Sequence, residues 1–410
     1  MPDATPYLQR GDGTSSDPPS RPGSGNGENG RFDDAGDGRS SANDAAAHNS
    51  GDSARSAAPG RTSVEPSVRE AESGRACDRV SVVDRPVPTT LSGIREPVDA
   101  ELDHFRDYFR ESMRSDHMLL DKITQYVLRQ KGKKIRPTLV LLSAKQFGDV
   151  TETSYRAAAL VELLHTATLV HDDVVDDAET RRGMFSINAL WKNKIGVLLG
   201  DFLLSRGLLL SLDHHDYDML HTLSDAVRRM SEGELLQIEK SRFLDIDEDT
   251  YFQIISDKTA SLIAACTKAG ALSVTDSEAD VERMRVFGEK LGLAFQIRDD
   301  LFDFSMQDAG KPIGIDLQEK KLTLPIIVAL REARASDQRR IMKLIKKDEK
   351  SRADLRDIGS FVADHGGIEY ARTKMTELAS EAREQLMDSP PSAARSALIG
   401  LTEYTVQRKR

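Results

Sequence analysis

Cysteine is scarce in this chain. There are 2 among 410 residues, Cys77 and Cys266, which is too few for a disulfide framework and fits a reducing cytoplasm. Positive charge is not in excess either. With 57 Lys and Arg against 67 Asp and Glu the formal net charge is −10, which argues against nucleic acid as the main partner. The start of the chain has no apolar h-region, so no secretory signal is expected, and no run is read as long enough to span a bilayer. The most apolar stretches, such as "ASLIAACTKAGAL", meet charge within a few turns. Sustained alternation of apolar and polar residues is missing as well, which leaves no signal for a sheet.

The first quarter also lacks what a core needs. From Met1 to Pro97 the chain is mostly Gly, Ser, Asp, Ala, Pro and Arg, as in "RPGSGNGENGRFDDAGDGRSS". Such a segment cannot bury enough apolar surface to offset the entropy of ordering it, so 1–97 is expected to be a disordered low-complexity tail. Val98 to Arg410 has the Leu, Ile and Val for one sizeable core and is read as one domain.

Within that domain apolar residues recur at three- and four-residue spacing: Leu160, Leu163, Leu164 and Ala167, then Leu203, Leu204, Leu208 and Leu209, then Leu291, Ala294, Phe295 and Ile297. This is the helical period, and an all-α fold of about ten or more helices follows. Short polar or Gly/Pro stretches such as "RRGMFSIN", "HHDYD" and "LDIDED" mark the boundaries.

Two acidic motifs stand out. Residues three, four and seven apart share a helix face, so His165, Thr168, Asp172 and Asp176 form one stripe with Asp173 beside it. In "GLAFQIRDDLFDF" a second stripe holds Gln296, Asp299 and Asp303, with Asp300 alongside. A single Asp-Asp-x-x-Asp is more often a solvated helix face. Two copies, each flanked by large apolar residues, point instead to carboxylates lining a cavity inside a bundle. Packed carboxylates raise each other's pKa unless a cation offsets them. With only hard oxygen ligands in the pattern, Mg²⁺ is favoured over Zn²⁺, and Mg²⁺ commonly joins a few carboxylates to substrate phosphates. An EF-hand at "DIDEDT" is the competing reading, but Thr250 and Ser256 occupy the positions that need Gly and Glu.

A diphosphate also needs cationic donors. Arg181 and Arg182 follow the first motif directly, and the guanidinium fork matches phosphate oxygens. Lys133, Arg136, Lys258 and Lys311 stand at predicted helix ends, where each alone is more often a surface residue. His165 lies about two turns, roughly 10 Å, before Asp172 on the same face, which suits it to donate to a second phosphate group.

With these residues in place, "GKKIRP", "ELLHTATLVHDDVVDDAETRRG", "SDKTASL", "FQIRDDLFDF" and "GKPIGIDLQEKKLTLP" resemble, in order, the motifs of the trans-type polyprenyl diphosphate synthases, most like the long-chain octaprenyl- and heptaprenyl-type enzymes. The resemblance covers nearly all of Val98 to Arg410. It implies an isoprenoid synthase-type helical bundle around a deep central cavity, usually a homodimer. It implies that Lys133, Arg136, His165 and Arg182 bind isopentenyl diphosphate, and that Arg181, Lys258, Thr259, Gln296 and Lys311 contact the allylic diphosphate. Asp172, Asp176 and Asp299, with Asp173, Asp300 and Asp303 near, would hold Mg²⁺ in clusters of three ions. Two departures stand out: Lys131 replaces the first of the two glycines that usually open the basic motif, and "EKK" stands where Glu-Gly-Lys is common, which makes Lys321 a weaker phosphate candidate than Lys311.

The implied activity is head-to-tail prenyl transfer, in which catalysis is mostly electrostatic stabilisation of a leaving pyrophosphate plus positioning. Product length should depend on the cavity floor. Ala167 and Thr168, five and four residues before Asp172, lie about 6 to 7.5 Å deeper, and neither blocks a tunnel. In the family, large aromatic residues there mark short-chain enzymes, so this chain resembles the long-chain makers whose products become quinone side chains, with a peripheral membrane contact for product release. Alternatives are a short-chain farnesyl or geranylgeranyl diphosphate synthase, the catalytic subunit of a heteromeric synthase, a terpene cyclase, against which Lys133, Arg136 and His165 count, and a non-catalytic regulatory subunit, against which the two intact acidic motifs count.

Overall fold

The computed structural model describes residues 87–130, 132–181, 183–304 and 315–408, which fall in one unit spanning Cys77–Arg410. Its helices run in order α1 Leu91–Arg95, α2 Asp99–Ser112, α3 Met118–Arg129, α4 Ile135–Phe147, α5 Glu152–Val175, α6 Ile187–Trp191, α7 Asn193–Asp213, α8 Tyr217–Phe243 and α9 Glu248–Ile255. They continue as α10 Ser261–Leu272, α11 Glu278–Phe302, α12 Ile315–Gln318, α13 Leu324–Glu332, α14 Ala335–Ile345, α15 Arg352–Asp364, α16 Gly367–Glu384 and α17 Ala393–Gln407. One small antiparallel hairpin, β1 Thr180–Arg181 with β2 Met184–Phe185, turns at Gly183, whose φ of 76° suits a residue without Cβ.

Local chemistry sets the helix starts. The Thr151 side chain accepts from the Ser154 amide while the Ser154 side chain accepts from the Thr151 amide, a capping box that opens α5. Ser277 caps α11 and Asp247 caps α9. The "DIDEDT" stretch is therefore a helix start rather than a calcium loop.

The helices that carry the acidic motifs lie in the middle. On α5 the consecutive residues Ala157 to Val161, then Leu163 and Leu164, are all buried. Burial on every face marks a helix surrounded by others: α7 packs along one side, with α4, α10 and α2 on the rest. α11 is held in the same way between α10 and α16.

Two sequence expectations are corrected here. Leu91–Arg95, placed in the tail, is helical. Thr90 caps it, Ile94 is fully buried, and the residues just before it pack on α17, where Gly400 meets Pro88. The remainder of the expected tail, up to residue 86, lies outside the described residues. Second, α7 is long and apolar enough by length and composition to cross a membrane, with a mean hydropathy of 1.7. Small and apolar residues occupy both its packed side and its exposed side. Gly196, Leu199, Gly200, Leu203 and Gly207 face the core, while Val197, Leu198, Leu209 and Leu212 are exposed.

Candidate active site

The first acidic motif closes α5. Asp172 lies in its last turn, and the amide of Asp176 donates to the Asp172 carbonyl at 2.8 Å, which makes Asp176 the C-cap. Asp299 and Asp300 close α11 in the same way, with Asp303 as its C-cap. Both motifs thus put carboxylates at helix C-termini, where the dipole disfavours anions. A cation at each end would relieve that field.

The carboxylates differ in surroundings. Asp173 is buried and paired with Arg181. Asp172 and Asp176 are exposed. Although the Asp172 side chain reaches solvent, the protein packed around its carboxyl partly desolvates it and holds it above its usual range, with Arg181 opposing the rise and Asp176 and Glu234 adding to it. Asp299, on α11, is raised by burial and opposed by Arg408, with which it is ion-paired. Asp300 is 1% exposed. It accepts from the Tyr251 hydroxyl at 2.7 Å and from the Gln296 amide at 2.8 Å, and burial raises it to about 6. Asp303 accepts from the Asp316 amide at 2.8 Å, and burial with the neighbouring Asp316 carboxylate raises it to about 6. Behind them Lys321 reaches Asp316 at 3.1 Å. Burial works against its charge, but Asp300 and Asp316 keep its pKa raised.

Between α9 and α10 the backbone takes one widened π-type turn, Ser256–Ala260, a feature often found at functional sites. It presents Lys258 and Thr259 to the same cavity. The turn is pressed against α8 at Gly233, where a Cβ would come within 2.9 Å of the Lys258 amide nitrogen. Lys258 pairs with Glu234, and Thr259 donates to Gln296 at 2.8 Å.

Two cavities meet here. The first, about 570 Å³, is lined by His165, Thr168, Asp172, Lys258 and Thr259, and by apolar Leu139, Met230, Leu262, Leu291 and Leu401. The second, about 1020 Å³, is lined by Lys133, Arg136, Asp173 and Arg181, with Arg106, Arg110, Arg129 and Lys134 adding positive charge. Ile135, Arg136 and Leu169 line both.

Of the sequence-predicted residues, His165, Thr168, Asp172, Lys258 and Thr259 line the first cavity and Lys133 and Asp173 the second, with Arg136 on both, whereas Asp176, Gln296, Asp299, Asp300 and Asp303 line neither. Arg181 lines the basic cavity beside Lys133 and Arg136 rather than the one holding Lys258. Ala167 does not line the first cavity. It is buried in a separate cluster with Met113, Ile123, Leu199 and Leu203. Arg182 and Lys311 lie outside the described residues. Among the described residues no three His, Cys, Asp or Glu side chains converge on one metal position, so any ion there draws ligands from substrate oxygens and water as well. Sequence reasoning missed Tyr251, Glu234, Asp316 and Arg408, each brought in from a distant segment without a local signal.

Comparison with known proteins fits this geometry. A family model described as polyprenyl synthetase matches residues 117–362. The all-trans-nonaprenyl-diphosphate synthase (geranyl-diphosphate specific) of Rhodobacter capsulatus is 35% identical over 319 residues, 77% of this chain and 97% of that protein. A decaprenyl diphosphate synthase structure from Rhodobacter capsulatus has a TM-score of 0.74 at 33% identity, covering 78% of this chain and 100% of that one. A polyprenyl synthase from Caulobacter crescentus, complexed with calcium and isoprenyl diphosphate, has a TM-score of 0.71 at 31% identity, covering 79% and 100%.

Proposed function

From the premise that this chain belongs to the polyprenyl synthetase family and is a polyprenyl diphosphate synthase, we propose the following division of labour in its two cavities. The allylic diphosphate is held by Asp172, Asp176, Asp299 and Lys258, with Lys311, and with Arg181 approaching from the adjoining basic cavity that it lines; the growing tail lies along the apolar lining of the first cavity. Isopentenyl diphosphate takes the basic cavity, on Lys133, Arg136 and Arg182, with His165 on the wall of the adjoining first cavity. The observation that carries this reading is the pair of cavities itself: one largely apolar with Asp172, Glu234 and Lys258 on its wall, one lined by Lys133, Arg136 and Arg181, the two sharing Ile135, Arg136 and Leu169.

The donors available to a cation are hard oxygens at two helix C-termini, and the repulsion from Asp176 and Glu234, which adds to the desolvation that raises Asp172, is what a divalent ion relieves; the set fits Mg²⁺. Asp172, Asp176 and Asp299 would hold it, with Asp173 and Asp303 near, while Asp300, buried and hydrogen-bonded on both oxygens, stands back from it. Magnesium supplies charge neutralisation of the departing pyrophosphate. Lys258 takes up charge on the same diphosphate as the allylic C–O bond breaks. Arg136 and His165 hold isopentenyl diphosphate with its double bond toward the allylic carbon, which the π electrons attack. The proton released afterwards goes to the pyrophosphate. Leu139, Leu262 and Leu291 keep water from the cation.

The product is long, for a quinone side chain, because Thr168 leaves the first cavity open. The short-chain reading draws on one observation, the modest 570 Å³ of that cavity. The enzyme works in the cytoplasm as a homodimer joined across α7, whose outer face exposes Val197, Leu198, Leu209 and Leu212. Asp172→Ala and Asp299→Ala test the site: turnover falls by about a thousandfold or more while circular dichroism stays helical. Retained activity in either would remove the carboxylate assignment.

A further inference from the structure

Tyr251 on α9 is a buried phenol for which the reaction as described has no use. It is 3% exposed, and its hydroxyl donates to Asp300. From there one chain of hydrogen bonds runs to the cavity wall. Asp300 accepts from the Gln296 amide, and the Gln296 carbonyl accepts from the Thr259 hydroxyl. Only Thr259, at the end of that chain, lines the first cavity; Tyr251, Asp300 and Gln296 stand behind it.

A glutamine amide has two nearly isosteric orientations, and its neighbours select one. A carboxylate at position 300 accepts from the NH₂ end and repels the carbonyl end. The Gln296 carbonyl is thereby turned to Thr259. The Thr259 proton is then committed to Gln296, which leaves the hydroxyl lone pairs to face the cavity. That is the favourable orientation toward a developing allylic cation. The selection works only while the Asp300 carboxylate is held in place, and the Tyr251 hydroxyl ties down its other oxygen.

We propose that Tyr251 is a positioning residue for prenyl transfer, acting through Asp300 to fix the Gln296 amide and, with it, the direction of the Thr259 hydroxyl. The inference rests on the prenyl-transfer reading above. It gives Asp300 a task distinct from cation binding, in keeping with a carboxylate that lines neither cavity and has a hydrogen bond on each oxygen.

Tyr251→Phe keeps the ring and removes only the hydroxyl. The expected result is a kcat about tenfold lower, an unchanged KM for isopentenyl diphosphate, and an unchanged Mn²⁺ binding isotherm followed by electron paramagnetic resonance. Asp300→Asn still offers a carbonyl to Gln296 and an amide to Tyr251, so it retains kcat within about threefold, whereas Asp300→Ala falls at least as far as Tyr251→Phe. A purely structural tyrosine lowers the melting temperature and leaves kcat alone, which would overturn the proposal. So would weakened Mn²⁺ binding in Asp300→Asn, because that makes Asp300 a ligand. A wild-type chain that elongates no primer sinks the prenyl-transfer reading and this role together. Elongation by the wild type with equal kcat in Tyr251→Phe sinks the positioning role alone.

Discussion

Arg408 forms an ion pair with Asp299, 109 residues earlier in the chain, and its guanidinium lies 4.0 Å from the centroid of Phe295. The last helical turn of α17 is thus fastened to the second acidic motif. Arg408 is nearly buried, at 10% side-chain exposure, so its ion pair is less screened than a surface one.

A cation at Asp299 competes with that guanidinium for the carboxylate. Arg408→Ala removes the competitor and should tighten Mn²⁺ binding to the substrate-free protein by about two- to fivefold, a shift below 1 kcal/mol. The same change strips packing from Phe295 and lowers the melting temperature. Titration of the variant and the wild type side by side checks both signs.

Thr168 and Ala167 should behave differently, although they are neighbours. Thr168 lines the first cavity, so Thr168→Phe shortens the product. Ala167 packs against Leu199 and Leu203 of α7, so Ala167→Phe overfills a close-packed cluster at a cost of about 1–3 kcal/mol. Chromatographic sizing of products, paired with thermal melts, separates the two effects.

Burial raises Asp300 and Asp303 from the ordinary 3.8 to about 6. A carboxyl with the higher pKa when folded is protonated first in the folded state as pH falls. Acid therefore adds stability between about 6 and 3.8, and the difference is constant outside that window. In EDTA, the contribution of these two groups should increase from pH 7 to pH 5. Asp300→Asn removes one of them, so its melting temperature should gain less over that interval than the wild type gains.

The proposed homodimer is joined across the exposed side of α7. Leu198 is 54% exposed and Leu209 50%, so a charge at either position costs the monomer little. Leu198→Asp combined with Leu209→Asp should shift the sedimentation coefficient to that of a monomer while the helical content is kept.

Much of this was legible in the sequence because helical period and motif spacing are local. The two Asp-Asp-x-x-Asp runs place their carboxylates on one face by geometry alone, and His165 lies on the same face seven residues before Asp172. The capping residues Thr151 and Ser277 mark where α5 and α11 begin. The partners that set each carboxylate apart were not legible. Tyr251, Asp316 and Arg408 reach Asp300, Asp303 and Asp299 across loops and whole helices, and no spacing rule connects them. Ala167 misled for a related reason: helical phase tells which residues share a face, but not which neighbour that face meets. The apolar character of α7 escaped because its charges are spread thinly among glycines and leucines.

The most direct test is to incubate the purified chain alone with Mg²⁺, isopentenyl diphosphate and farnesyl diphosphate, and to size the products. The account predicts a single long polyprenyl diphosphate made without any partner subunit. No elongation of the farnesyl primer, with activity appearing only on shorter primers or after a second subunit is added, would contradict it.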